Sequence, residues 1–95
     1  MSGYIALIHP PFEGSAYGVA FPDLPGCTSA GDTFEEAAIN TREALSGHLA
    51  LMRADGEAIP EPRSLEALQA DPEAAAGLDG AHPHFVAPRS FTASA

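Results

Sequence analysis

Four acidic residues close together in the sequence are the first candidates for chemistry. Asp23 lies in the stretch FPDLPGC, and Asp32, Glu35 and Glu36 follow shortly after it. Paired carboxylates hold two magnesium ions in enzymes that cut phosphodiesters. Here Asp23 is expected to shape a turn, and the other three lie at a predicted helix N-terminus, where the helix dipole favours negative charge. The sequence therefore predicts no catalytic residues, no cofactor and no enzyme.

Cysteine and histidine side chains offer two further chemistries. Cys27 is the only cysteine, so it cannot form an internal disulfide, and as a nucleophile it would need a base in contact. Because free cysteines are often buried, Cys27 is predicted to be a core thiol. His82 and His84 would share one face of a strand, a spacing that transition metals favour. Two ligands are a weak signal, and incidental surface histidines are the preferred interpretation, with no metal predicted.

The composition indicates one acidic globular domain. The chain has 95 residues, of which 45% are hydrophobic and 18% charged, which is enough for a single core. Thirteen carboxylates face four basic residues, all arginine, for a formal charge of -9. Such a chain repels phosphate backbones, so direct nucleic-acid binding is not expected, whereas steered association with a basic protein is. No signal peptide or membrane helix is recognised, which predicts a cytoplasmic protein.

Three short strands are predicted in the first third of the chain. YIALI at residues 4–8 is β-prone and is closed by two prolines, and AYGVAF at residues 16–21 alternates large and small side chains. The two prolines of PDLP prevent a continuous strand, so the chain must turn there before residues 27–30 form a third strand. FPDLPGC is therefore predicted to be a rigid turn that directs Leu24 and Cys27 into the core and Asp23 outward.

A long helix and several shorter segments follow. Thr33 and Glu36 form a capping box, an apolar stripe continues to Met52, and Asp55 with Gly56 supplies the stop. After a proline-bracketed linker, Ser64 caps a short helix that is predicted to end near Asp71 and Pro72. The last β-prone run is at residues 81–88, where prolines confine pairing to residues 84–87 at a sheet edge. Residues 1–88 are predicted to form the domain and residues 89–95 a flexible tail.

Three linked motifs carry a family resemblance. FPDLPGC at residues 21–27, GDTFEEA at residues 31–37 and IPEP at residues 59–62 occur in order and spacing. In this respect the chain resembles the N-terminal domain of the HicB family of antitoxins and its stand-alone relatives, over about residues 3–88. The resemblance implies an α+β fold of the truncated ribonuclease H-like type. That fold has a three-stranded antiparallel meander, a long helix packed on the sheet, a short helix and a fourth edge strand.

The resemblance also implies a function. HicB antitoxins bind and block HicA, a small basic toxin that cleaves messenger RNA, and the charge of -9 suits such a partner. Many family members carry an additional C-terminal DNA-binding domain that binds the operator. Only about seven residues follow the last predicted strand, so no such domain is expected in this sequence. The alternative is a solitary oligomeric domain of the same fold with a structural or ligand-binding role and no toxin.

Partner contacts and assembly are predicted more locally. The predicted partner-binding residues lie in the FPDLPGC turn, in the strand before it and on the polar face of the long helix. They are Tyr17, Phe21, Asp23, Leu24 and Glu43. Exposed strand edges usually need to be covered or paired. We therefore expect a homodimer or higher oligomer, joined through an edge strand or through the long helix near Gly47.

Overall fold

Seven helices and strands make up the part of the domain that the structure describes. The structure is a computed structural model that describes residues 3–88. In chain order the elements are β1 (Tyr4–His9), β2 (Tyr17–Ala20), β3 (Thr28–Gly31), α1 (Phe34–Ala54), α2 (Leu65–Ala70), α3 (Pro72–Leu78) and β4 (His82–Val86). The predicted flexible tail, residues 89–95, lies outside the described residues.

The four strands form one antiparallel sheet in the order β3-β2-β1-β4. Val19 of β2 pairs with Ile8 of β1 and with Ser29 of β3, which fixes the meander register. The final strand returns beside the first, where Val86 pairs with Tyr4. This arrangement confirms the predicted fold class, although β4 begins two residues earlier than expected.

Helix α1 covers one face of the sheet. Because strand side chains alternate between faces, Ala6, Ile8 and Val19 all point toward α1, where they meet its buried Leu45 and Leu49. The predicted cap is present, since the Glu36 amide donates to Thr33 Oγ1 over 3.1 Å. The Glu36 carboxylate accepts from the Asp32 amide, one residue before the Thr33 amide that a capping box uses. Within residues 3–88, α1 and the other helices fall short of the length and apolarity that a membrane crossing requires.

Glycine lets β3 and α1 approach very closely. A Cβ placed on Gly31 would lie 2.3 Å from the backbone nitrogen of Ala37. That distance is far inside van der Waals contact, so only glycine fits at this position. The end of β3 and the first turn of α1 therefore pack backbone against backbone.

The α2–α3 segment covers the other face of the sheet. Leu7, which alternates with the residues facing α1, is buried there, and a Cβ on Gly77 of α3 would lie 3.6 Å from it. Helix α3 was not predicted, because Asp71 and Pro72 were interpreted as a helix stop. The structure shows Pro72 at the start of α3 with Asp71 as its N-cap, a position where the missing proline amide costs nothing.

Candidate protein-binding surface

The FPDLPGC segment consists of two successive tight turns. The Leu24 amide donates to the Phe21 carbonyl and the Cys27 amide donates to the Leu24 carbonyl, both over 3.0 Å. Gly26 has a φ of 89°, a left-handed conformation that disfavours other residues. The turns direct Phe21, Leu24 and Cys27 into the core, which confirms the prediction for Leu24 and Cys27.

Asp23 points inward, so its predicted outward position is wrong. Only 6% of its side chain is exposed, because Arg63 of the linker lies over it. The carboxylate accepts from the Arg63 backbone amide over 2.8 Å and from Arg63 Nε over 2.7 Å. These two hydrogen bonds from Arg63 to Asp23 form a structural tie between the turn and the linker.

Arg63 extends this tie to the helical segment behind the sheet. Its Nη1 donates to Asp71 Oδ2 over 2.8 Å, while Asp71 Oδ1 caps α3 by accepting from the Glu73 amide. The hydrogen bond with Arg63 lowers the pKa of Asp71, and the bonds to Asp71 and Asp23 raise the pKa of Arg63. Arg63 therefore joins the FPDLPGC turn, the linker and the N-terminus of α3. No residue spacing in the sequence predicts that Arg63 pairs with Asp23 and Asp71, so the sequence analysis did not identify Arg63.

The five predicted contact residues divide into two groups. Phe21 and Leu24 are 3% and 1% exposed, and Asp23 is held by Arg63, so none of the three presents a free side chain. Tyr17 is partly exposed and Glu43 is exposed on α1. Tyr17 packs edge-to-face on Phe34 with ring centroids 6.1 Å apart. Of the five predicted residues, only Tyr17 and Glu43 therefore present their side chains at the surface.

Cys27 sits in an environment that opposes nucleophilic chemistry. Its side chain is 3% exposed, and its thiol donates to the Ala44 carbonyl over 3.6 Å. Burial raises the pKa of the thiol to about 11. An activated cysteine needs a lowered pKa, so this environment favours the protonated, packing form.

The two strand histidines have different surroundings. Both face the α1 side, opposite Ile8 and Ala6, and the His82 ring packs edge-to-face on Phe34 at 5.0 Å. Among residues 3–88, no cluster of three or more potential ligands could hold a metal ion. The aromatic contact gives His82 a packing role.

Large apolar side chains remain exposed at several places on the surface. Ile39 and Leu51 project from α1 with 69% and 61% of their surface exposed. Phe85 of β4 is 58% exposed, and Phe12 in the β1–β2 hairpin is 77% exposed. Ile39 and Phe85 line a groove between α1 and β4, and Leu51 lines a hollow beside the FPDLPGC turn. Exposed apolar side chains in such places are typical of protein-binding surfaces. These exposed apolar side chains are therefore suited to contact with another protein.

The comparisons with known proteins define the class. The family model described as the HicB-like antitoxin of bacterial toxin–antitoxin systems matches residues 4–80. The chain therefore belongs to the HicB-like antitoxin family. A sequence relative is an uncharacterised 14.9 kDa protein of Haemophilus phage HP1, 46% identical over 60% of this chain and 43% of that protein. The match thus spans less than half of this relative's length.

Solved structures of the family have the same fold. The Burkholderia pseudomallei antitoxin HicB is 36% identical with a TM-score of 0.75, covering 96% of this chain and 66% of that one. Its isolated N-terminal domain is 37% identical with a TM-score of 0.70, covering 90% of this chain and 95% of that one. A chain of the HicA3 and HicB3 toxin–antitoxin complex is 29% identical with a TM-score of 0.69, covering 90% and 96%.

Proposed function

We propose that this chain is the toxin-binding module of a toxin–antitoxin pair, and that it neutralises a small basic HicA-like toxin that cleaves messenger RNA. The observation that carries the proposal is the similarity to a chain of a toxin–antitoxin complex over nearly the whole domain. The formal charge of -9 supports it, because complementary charge accelerates association with a basic protein. The comparisons favour this function over a solitary domain without a toxin.

The module acts by binding and has no catalytic activity of its own. In support, Glu36 is engaged in capping α1 and Asp23 is engaged by Arg63, so these acids have structural roles. Direct binding to nucleic acid is disfavoured by the excess of carboxylates. The protein that it inhibits acts on messenger RNA, so we place the pair in the cytoplasm.

Of the five predicted residues, Tyr17 and Glu43 have side chains that reach the surface. Tyr17 is the one that we propose as a toxin contact, because Glu43 lines a groove between α1 and β4 together with Arg42. Phe21, Asp23 and Leu24 contribute by fixing the conformation of the FPDLPGC turn. A rigid surface loses little conformational entropy on binding, which favours a tight complex.

A co-expression experiment tests the proposal. The small open reading frame adjacent to this gene is induced in a bacterial host, alone and together with this chain, and growth is measured. We expect arrest with the neighbour alone, rescue by the chain, and co-purification of the two proteins. An inert neighbour and a pull-down that recovers no basic protein would overturn the proposal and favour the solitary domain.

A further inference from the structure

A hollow of about 410 Å³ lies beside the FPDLPGC turn, between the turn, the C-terminal end of α1 and the linker. Its apolar wall is formed by Leu24, Pro25, Leu51, Met52 and Pro60. Leu51 is 61% exposed at this wall, so an aliphatic side chain faces solvent beside a concave apolar surface. We call this feature the Leu51 hollow.

The charges around the Leu51 hollow are negative. Two carboxylates, Asp55 and Glu57, line it. The lining residues include His48 but neither lysine nor arginine. Asp55 is the C-cap of α1, where the negative end of the helix dipole disfavours a carboxylate. Arg53 lies in the same turn of α1 but is not among the residues that line the hollow. Its charge acts on Tyr4, whose pKa it lowers against the larger effect of burial.

A second groove on the same helix provides a contrast. The groove of about 390 Å³ between α1 and β4 is lined by Ile39, which is 69% exposed, and by both Arg42 and Glu43. Its formal charges balance, whereas those of the Leu51 hollow do not. An acidic partner or a second copy of this chain, which itself carries a charge of -9, would be repelled from the Leu51 hollow.

We infer that the Leu51 hollow is the docking site for the basic toxin, and that it receives an apolar side chain flanked by lysine or arginine. This inference rests on the proposed function and adds the location of the contact. Leu51 and the apolar wall bury the anchoring side chain, while Asp55 and Glu57 pair with the flanking cations. An apolar centre with a charged rim is the usual anatomy of such contacts.

Two variants and two matched controls test the inference by calorimetric titration for affinity and stopped-flow mixing for association rate, both with the toxin purified from the co-expression experiment. Leu51→Ser removes the apolar anchor, and Ile39→Ser removes a similarly exposed aliphatic side chain from the contrasting groove. The double variant Asp55→Asn with Glu57→Gln removes two charges at the hollow. Glu35→Gln with Glu66→Gln removes two exposed charges elsewhere, so the net charge is matched.

We expect Leu51→Ser to weaken toxin binding about tenfold or more, and Ile39→Ser to change it less than about twofold. The charge pair at the hollow should slow association about tenfold at low salt, and the control pair much less. Equal effects of Leu51→Ser and Ile39→Ser would overturn the inference and leave the proposed function intact. A change in self-association with unaltered toxin affinity would assign the hollow to a second copy, and would also overturn it. If the unmodified chain binds no toxin, the proposed function fails and the inference fails with it.

Discussion

At the scale of single residues, Asp23 is expected to stabilise the fold through its bonds to Arg63. Its nearly buried carboxylate holds two donors of Arg63. Asp23→Ala leaves these donors without their acceptor, and we expect a loss of about 1 to 3 kcal/mol in the free energy of unfolding. Urea denaturation measures it, with the exposed Asp32→Ala as a control expected to change stability by about 0.5 kcal/mol or less. An unaltered Asp23→Ala midpoint combined with lost toxin binding would show that Asp23 is a contact residue.

The Cys27 thiol makes a pH-dependent contribution to stability. Burial raises its pKa from 9.0 to about 11, so folding favours the protonated form. This contribution is fully present below about pH 9 and is lost as the pH rises to about 11. The wild type should therefore lose about 1 to 3 kcal/mol more than Cys27→Ala across this range. The raised pKa of Tyr4 affects both proteins equally, so it cancels in the comparison. Parallel pH profiles of the two proteins would contradict the burial of the thiol.

Cys27→Ala also tests function at neutral pH. A small buried side chain is removed and no reacting group is lost, so we expect a modest loss of stability and unchanged toxin affinity. Thermal melts and titration measure the two quantities separately. Full stability with lost function would reopen the nucleophilic interpretation of Cys27.

At the scale of elements, the conformation of the FPDLPGC turn depends on one glycine. Gly26 has a φ of 89°, which a β-branched residue adopts only with strain. Gly26→Val should destabilise the fold by about 1 to 3 kcal/mol in thermal or urea melts. Gly18→Val is the matched control, because a Cβ at Gly18 meets nothing within 4 Å and valine suits a strand. Similar losses in both variants would remove the turn conformation as the cause.

Two other glycines should respond in opposite directions. Gly31→Ala forces a Cβ against the backbone of Ala37, and we expect a loss of more than about 2 kcal/mol. Gly47 lies within α1 with open space around it, so Gly47→Ala should gain about 1 kcal/mol of helix propensity. Urea midpoints compare the two. A destabilised Gly47→Ala would indicate that close packing at Gly47 matters in an assembled form.

Most of the helices and strands could be predicted from the sequence. Local signals were sufficient for β1 to β3 and for α1, since alternation, turn residues and a capping box act between near neighbours. Pro72 was misinterpreted because a proline both ends one helix and begins the next, and only the packing of α3 on Leu7 distinguishes the two. Asp23 was misplaced for a related reason. Its partner Arg63 is forty residues away, and no pattern in the sequence brings them together.

At the scale of the whole molecule, self-association stays a prediction. The charge-balanced groove between α1 and β4 carries Arg42 and Glu43 side by side, and the β4 edge has no strand beside it within the described residues. A two-fold contact could place each charge against its opposite, so we expect a homodimer or higher oligomer there. Light scattering at micromolar concentration measures the mass. A monomer mass would contradict this prediction, and Ile39→Ser should weaken the assembly if the groove is used.

The pairing of Val86 with Tyr4 has a consequence for the timing of folding. The sheet is completed only when a strand from the end of the described chain adds to the first strand. During synthesis β1 and the meander leave the ribosome early, but β1 keeps an open edge until β4 emerges. The core residue Val86 arrives in the same step. A nascent chain interrupted before residue 82 would therefore expose β1 as an unpaired strand. The lifetime of this exposed state would depend on how quickly translation resumes.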